Sequence, residues 1–218
     1  MARHFQRELE KIKKRILSLG AVVEERVRLA KYAIEERDGD TAEKIIKTDY
    51  EIDEMEVEVE EECLKILALH QPVAVDLRFL ISVIKINSEL ERIGDQVVNI
   101  AQRVGVIAKR PPFAFDFDYS TMADKAEAML KMSLDAMVNL DVDLAFRVMT
   151  LDDEVDEIQR EAYDRIKLAL KESPDRSGYL INLLLISRHL ERIGDHATNI
   201  AEEVIYLIEG EIIRHGDY

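Results

Sequence analysis

Apolar residues recur every three or four positions along most of this chain, the spacing that places them on one face of an α-helix. No stretch alternates apolar and polar residues with the period of two that a half-buried β-strand requires. The pattern therefore predicts an all-α protein built from six long amphipathic helices. The predicted helices cover residues 5–37, 40–69, 75–109, 121–140, 141–171 and 178–213.

Polar or proline-containing segments separate the predicted helices. Asp38-Gly39-Asp40 ends the first one, and Asp40 to Glu43 resembles a capping box that begins the second. The segment 111–119, PPFAFDFDY, is the best linker candidate and contains three of the six phenylalanines. We predict an extended crossover whose rings fill a groove between helices, with a strip that docks a partner as the alternative.

The second half of the chain repeats the first. Residues 90–101 (LERIGDQVVNIA) and 190–201 (LERIGDHATNIA) are identical at nine of twelve positions, and 49–53 (DYEID) resembles 152–156 (DDEVD). The repeat is three helices long, and three helices can enclose a core. We therefore predict two tandem antiparallel three-helix bundles related by internal duplication. The predicted division is 1–110 for the first bundle, 111–119 for the linker and 120–218 for the second bundle.

Both halves carry acidic residues four positions apart, a spacing that stacks two side chains on one helix face. The four pairs are Asp49 with Asp53, Glu91 with Asp95, Asp152 with Asp156, and Glu191 with Asp195. The apolar stripe around the second pair indicates that its carboxylates face outward, so we expect surface or flank groups rather than a buried catalytic pocket. Asn99 and Asn199 extend the acidic stripe by one turn and are either amide ligands or parts of a polar network.

These acidic pairs are the candidate metal ligands of the chain. Like charges four residues apart on a helix cost about 0.2–0.5 kcal/mol per pair, a repulsion that a bound divalent or trivalent cation would convert into chelation. Carboxylate oxygens without a thiolate favour hard cations. The Glu-x-x-His pattern of di-iron oxidases is not present, because Gly94 and Gly194 stand three residues after Glu91 and Glu191. The two mid-helix glycines indicate a close approach between helices instead.

The composition excludes several classes of protein. A net charge of −15 repels the phosphate backbone of nucleic acids and anionic lipid headgroups. No apolar run reaches the ~18 residues of a membrane span, and the N-terminal residues show no apolar signal region. The single cysteine, Cys63, is expected to be a buried hydrophobic residue in a reducing compartment. We expect a cytoplasmic protein that neither binds nucleic acid nor inserts into a membrane.

The sequence resembles the PhoU family, regulators of bacterial phosphate uptake, from about Gly20 to Gly210. The resemblance is carried by residues 49–78 (DYEIDEMEVEVEEECLKILALHQPVAVDLR), 90–103 (LERIGDQVVNIAQR), 152–161 (DDEVDEIQRE) and 190–210 (LERIGDHATNIAEEVIYLIEG). It implies a PhoU-like fold of two three-helix bundles and a non-enzymatic protein that restrains phosphate uptake and phosphate-starvation gene expression. It also implies two partners, the ATPase subunit of the phosphate ABC transporter and a phosphate-sensing histidine kinase.

The resemblance also implies roles for individual residues. The family's Glu/Asp-x-x-x-Asp motifs bind multinuclear iron or zinc-type clusters in some members, and they correspond to the four acidic pairs named above. Asp76 and Arg78 lie in a matching stretch, residues 72–78, and are a candidate partner surface.

Two other functions are compatible with the sequence. A carboxylate-bridged metalloenzyme, such as an oxidase or a hydrolase, would need a labile coordination site and a groove for substrate. A metal-free helical scaffold would leave the acidic pairs as ordinary solvated faces. Because two joined bundles offer a broad helical surface, we also expect a homodimer.

Overall fold

The computed structural model describes residues 2–113, 115 and 117–211, with residues 2 and 3 described by their backbone alone. Within this part of the chain there are seven α-helices and no strand. The helices are α1 (Ala2–Glu36), α2 (Gly39–Lys47), α3 (Tyr50–His70), α4 (Ala74–Ala108), α5 (Tyr119–Asn139), α6 (Val142–Glu172) and α7 (Ser177–Glu209). A short 3-10 turn, Pro174–Arg176, joins α6 to α7.

The helices form two groups that correspond to the two sequence repeats. In the first group α1, α2 and α3 pack on α4, and in the second α5 and α6 pack on α7. The prediction of an all-α fold with two tandem three-helix units is confirmed. The buried apolar side chains nevertheless form one continuous cluster that runs through both groups, because α4 packs along α7 and α1 contacts α5. The two groups share a core, and the boundaries 1–110, 111–119 and 120–218 stay a prediction.

The contacts between the two central helices, α4 and α7, repeat in the same way as the sequence does. Nδ1 of His196 on α7 lies 2.7 Å from Oε2 of Glu89 on α4, and Nδ1 of His189 lies 2.9 Å from Oε1 of Gln96. Residue numbers thus rise along α4 as those of the contacted residues fall along α7, so the two helices are antiparallel. Positions 89 and 189 correspond in the repeat, as do 96 and 196, and the two contacts are therefore related by an approximate twofold axis.

The second predicted helix is interrupted, which the sequence pattern did not indicate. α2 ends at Lys47 and α3 begins at Tyr50, and between them the hydroxyl of Thr48 donates to the carbonyl oxygen of Lys44 at 3.0 Å. The corresponding residue of the second half, 103 positions later, is Leu151, which has no hydroxyl. There α6 runs without a break from Val142 to Glu172.

Two helix ends differ from the predicted ones. The cap of α2 is Asp38 rather than Asp40, since Oδ1 of Asp38 accepts hydrogen bonds from the backbone N–H groups of Asp40 and Thr41. α7 ends at Glu209 because Gly210 adopts a left-handed conformation (φ 78°) that terminates the helix. The last two residues of the predicted helix, 212 and 213, lie outside the described residues.

The crossover between the two halves packs as the sequence predicted. Phe113, Phe115 and Phe117 are half-buried against the core, and the ring of Phe113 lies 6.0 Å from that of Tyr179 on α7. Asp118 then caps α5 by accepting a hydrogen bond from the backbone N–H of Thr121 at 3.0 Å. None of the described helices combines the length and the low polarity that a membrane span requires.

Candidate metal centres: two acidic quartets

The first acidic quartet consists of Asp49, Asp53, Glu91 and Asp95, at the facing sides of α3 and α4. Asp49 precedes α3 and is half-buried, whereas Asp53 is exposed. Burial raises the pKa of Asp49, and the charges of Asp53 and Asp95 raise it further. Burial likewise raises the pKa of Glu91, with added repulsion from Asp95 and Asp53. The two predicted pairs of the first half therefore meet in one electrostatically coupled cluster.

The second quartet, Asp152, Asp156, Glu191 and Asp195, lies between α6 and α7. Carboxylate oxygens of Asp156, Glu191 and Asp195 all lie within 4.8 Å of one another. Burial raises the pKa of Asp152 to about 7, and the charges of Asp195 and Asp156 contribute to this shift. Burial and the same kind of repulsion raise the pKa of Glu191 and of Asp195. All eight predicted acids thus fall into two clusters of four.

The two quartets differ in one neighbouring residue. Arg26 of α1, which is only 8% exposed, lowers the pKa of Asp49 and partly offsets the repulsion in the first quartet. The residue 103 positions later is Met129 of α5, whose Sδ packs 3.4 Å from the Cβ position of Gly194. The second quartet therefore has an apolar side chain where the first has a cation, so the rise in the pKa of Asp152, caused first by burial, is not offset by an arginine at this position.

Glycines allow each acidic helix to approach its neighbour, as the sequence predicted. A Cβ atom on Gly94 would lie 3.1 Å from Cδ1 of Ile52 on α3, and one on Gly194 would lie 3.3 Å from Oδ1 of Asp152 on α6. Such distances are tighter than ordinary contacts between side chains. Because no side chain intervenes at Gly194, the carboxylate of Asp152 lies directly against α7.

The donor set of both quartets fits a hard cation. All eight groups are carboxylates, which are the ligands that hard divalent and trivalent cations prefer. Beside Asp152, the hydroxyl group of Thr198 is buried and donates to that carboxylate, which partly offsets the rise in the pKa of Asp152. A cation bound to either quartet would neutralise the repulsion that now raises the carboxyl pKa values.

Histidine takes no part in the quartets within the described residues. His196 follows Asp195 in the chain, yet its Nδ1 is bonded to Glu89. Asn199, predicted as either an amide ligand or a network residue, donates from Nδ2 to the same Oε2 of Glu89 at 3.0 Å. Burial alone would raise the pKa of Glu89, but these two bonds and the charges of His196 and Arg92 together lower it. Asn199 therefore belongs to a polar network between α4 and α7, while Asn99 is half-buried one turn beyond Asp95.

Asp76 and Arg78 lie far from the acidic residues in the first turns of α4. They line a groove of about 390 Å³ together with apolar residues of α1 and of the ends of α5 and α7, among them Leu9, Met137 and Leu207. Nε of Arg78 is buried and donates no hydrogen bond. The predicted partner residues thus form part of a groove with apolar walls and an incompletely bonded guanidinium group.

Two carboxylates near these sites were not singled out in the sequence. Glu56, one turn after Asp53, raises the pKa of Glu91 and has its own pKa raised, first by burial and then by Glu60 and Asp53. Glu89 connects α4 to α7 through His196 and Asn199. Glu56 follows Asp53 by three residues, within one helical turn, and could have been found from the sequence. The bonds of Glu89 depend on how two distant helices pack.

Comparison with known proteins relates this geometry to a family. The family model described as the PhoU domain matches the chain twice, at residues 16–104 and 119–204. The chain belongs to the PhoU family. Each of the two matches contains one acidic quartet, so the duplicated site coincides with the duplicated PhoU domain. The resemblance noted in the sequence is confirmed.

Individual PhoU proteins are similar over nearly the whole chain. The phosphate-specific transport system accessory protein PhoU homolog of Pseudomonas putida is 35% identical over 99% of this chain and 84% of its own length. The homolog from Aquifex aeolicus is 36% identical over 96% of this chain and 95% of its own length. The crystal structure of PhoU from Pseudomonas aeruginosa superposes with a TM-score of 0.90 at 36% identity, covering 95% of this chain and 100% of that one.

Proposed function

We propose that this protein is a cytoplasmic, non-enzymatic negative regulator of phosphate uptake and of phosphate-starvation signalling. Its membership of the PhoU family supports the proposal, because relatives aligned over nearly its whole length are named accessory proteins of the phosphate-specific transport system. The regulator acts by docking on the ATPase subunit of the phosphate ABC transporter and on the phosphate-sensing histidine kinase. We further expect a homodimer, which light scattering of the purified protein would test.

The observation that carries the metal part of the proposal is that all eight predicted acids collect into two quartets at corresponding places. Asp49, Asp53, Glu91 and Asp95 would hold one metal centre, and Asp152, Asp156, Glu191 and Asp195 would hold the other. Iron, zinc or another hard cation bound there would supply positive charge that screens the carboxylates and fixes α3 to α4 and α6 to α7. Repulsion without a cation makes such a cluster costly to retain.

The groove that contains Asp76 and Arg78 is the proposed docking surface for the transporter or the kinase. Its apolar walls supply area that can be buried, and the guanidinium group of Arg78 can pair with a carboxylate of a partner. Two of the residues that line the groove, Val75 and Leu140, are exposed apolar side chains.

The proposal is tested by complementation of a bacterial strain that lacks its own PhoU protein and carries a reporter for phosphate starvation. We expect the chain to restore repression of the reporter in phosphate-rich medium, and R78A to restore it less well. A second variant, E91A/D95A/E191A/D195A, removes four carboxylates for the metal test. Each protein is purified without chelator, and bound metals are measured by elemental analysis.

The outcomes separate the two parts of the proposal. Failure of the chain to repress the reporter, although it is expressed and folded, would contradict the regulatory function. Metal contents that are equal in the chain and in the quadruple variant would contradict the metal centres and leave the regulatory function standing. Full repression by R78A would exclude the groove as the docking surface.

A further inference from the structure

A second kind of metal-ligating cluster lies at the opposite end of α3 from the first quartet. Its members are His4 and Glu8, one turn apart on α1, and His70, the last residue of α3. Nδ1 of His4 lies 3.2 Å from Oε1 of Glu8, and Nε2 of His70 lies 2.6 Å from Oε2 of the same carboxylate. One ligating atom from each of the three residues can be chosen so that all lie within 4.8 Å of one another.

We propose that His4, Glu8 and His70 form a binding site for a divalent transition cation, with Zn²⁺ as the best match. Two imidazoles and one carboxylate are a ligand set that Zn²⁺ uses with a water molecule in the fourth position. Tetrahedral bonds of 2.0–2.1 Å place ligand atoms about 3.3 Å apart, so small rotations of the side chains suffice to enclose the ion. The site differs from the quartets, whose all-oxygen ligands prefer harder ions.

The burial of Glu8 adds to the evidence from the spacing. The residue is only 9% exposed, and its Oε2 is buried and lies 2.6 Å from Nε2 of His70, with which it pairs. A buried carboxylate oxygen needs a hydrogen-bond donor or a cation, and without metal the imidazole of His70 fills this role. A metal ion bound by Glu8 and His70 would satisfy that oxygen.

The surroundings of the cluster fix the imidazole of His70 and leave one side of the cluster open to solvent. The ring of Phe5 packs 5.1 Å from the ring of His70 and fixes the orientation of that imidazole. His4 is exposed, so the cluster opens to solvent on one side, where an ion can enter and a water molecule can complete the coordination. The net charge of −15 raises the concentration of cations near the surface.

Occupation of this site would connect the beginning of α1 to the turn between α3 and α4. His70 is followed by Gln71 in a left-handed conformation (φ 45°), and Val73 precedes the first residue of α4. A metal ion on His70 therefore restrains the segment 70–74, which leads directly to Asp76 and Arg78. Zinc binding would stiffen one border of the groove that those two residues line.

The test uses the full chain with Asp53, Asp95, Asp156 and Asp195 changed to Asn, so that zinc at the acidic quartets does not obscure the result. After removal of metals with a chelator, we expect this background protein to bind one Zn²⁺ in a calorimetric titration. E8Q, H4Q or H70Q in the same background should weaken Zn²⁺ binding at least ~100-fold, more than the loss of an outer-shell partner does. E10Q, which removes an exposed carboxylate from the same helix, is the matched control and should leave the affinity unchanged.

Two further measurements distinguish this site from adventitious binding. Co²⁺ in place of Zn²⁺ should give the intense visible absorption of a four-coordinate ion, and H70Q should abolish it. Zinc should also slow amide hydrogen exchange in residues 70–74. The proposal is overturned if the background protein binds no Zn²⁺, if H4Q and H70Q retain its affinity, or if Co²⁺ shows only the weak bands of a six-coordinate ion. Because His4 is exposed, loss of binding in H4Q cannot be attributed to misfolding.

Discussion

At the scale of single residues, Asp152 shows most clearly how burial and charge repulsion act in the acidic quartets. Burial and the charges of Asp195 and Asp156 raise its pKa from 3.8 to about 7. In the folded protein Asp152 therefore keeps its proton at pH values at which the unfolded chain has released it. Its contribution to stability is complete below pH 3.8 and is lost as the pH rises through about 7.

We expect D152N to stabilise the metal-free protein most at high pH, because the amide stays neutral where the carboxylate is charged. With a chelator present, the increase in the free energy of unfolding should be small near pH 4.5 and roughly 1–3 kcal/mol at pH 8, after allowance for solvent screening. This corresponds to a rise of about 3–9 °C in Tm. Thermal unfolding followed by circular dichroism at both pH values measures the effect. D164N, at an exposed position of the same helix, is the control, and an equal gain from both variants would show that burial and repulsion at Asp152 are not the cause.

The residues of the acidic quartets were easier to predict from the sequence than those of the proposed zinc site. Asp152 and Asp156 could be predicted to share a helix face, since residues four apart stack on one another, and the duplication drew attention to them. His4 and His70 are 66 residues apart, and only the packing of α1 along α3 brings them to Glu8. Likewise, the effect of Arg26 on Asp49 depends on α1, which carries no acidic pair of its own.

At the scale of helices, the two acidic helices depend on a close approach to their neighbours. α4 contains Gly94, which faces Ile52 of α3, and Gly105, around whose Cβ position nothing lies within 4 Å. Both glycines lie in helical conformation, so alanine at either position would reduce the freedom of the unfolded chain and favour the helix. The two positions differ only in the space available for a methyl group.

We expect G105A to raise the free energy of unfolding by about 0.5–1 kcal/mol, the usual gain from glycine to alanine within a helix. G94A should be neutral or destabilising, because its methyl group would meet Cδ1 of Ile52 at 3.1 Å and displace that buried side chain. Urea denaturation of both variants gives the comparison. If G94A stabilised the protein as much as G105A, the close packing of α3 on α4 would be wrong.

The helices themselves were largely predictable, whereas their ends were not. Six amphipathic segments appear at the predicted places because apolar periodicity reports the face that is buried. The break after Lys47 could not be predicted from this periodicity, and the hydroxyl bond of Thr48 does not explain it alone, because Thr150 makes the same kind of bond within the unbroken α6. Asp38 and Asp40 are equally suitable capping residues in the sequence, and only the backbone geometry shows that Asp38 is the cap.

At the scale of the whole molecule, the two repeats depend on each other. α4 and α7 lie side by side through both halves, and the buried cluster passes from Leu90 and Ile93 to Leu190 and Ile193. Cutting the molecule between its halves would expose these apolar faces to water. It would also leave Glu89 without His196 and Asn199, and a half-buried carboxylate without its partners is destabilising.

We therefore expect residues 1–110 and 120–218, produced separately, to be loosely packed or aggregated, and to fold when mixed. The measurements are near-ultraviolet circular dichroism and size-exclusion chromatography of each half and of the mixture. The matched control is the full chain with a protease site placed at Pro112, in the exposed part of the crossover. After cleavage there, the two fragments should elute together and unfold in a single transition, because the α4–α7 contact holds them. If each half alone gave a native spectrum and a cooperative transition, two independent bundles would describe the protein better than a shared core.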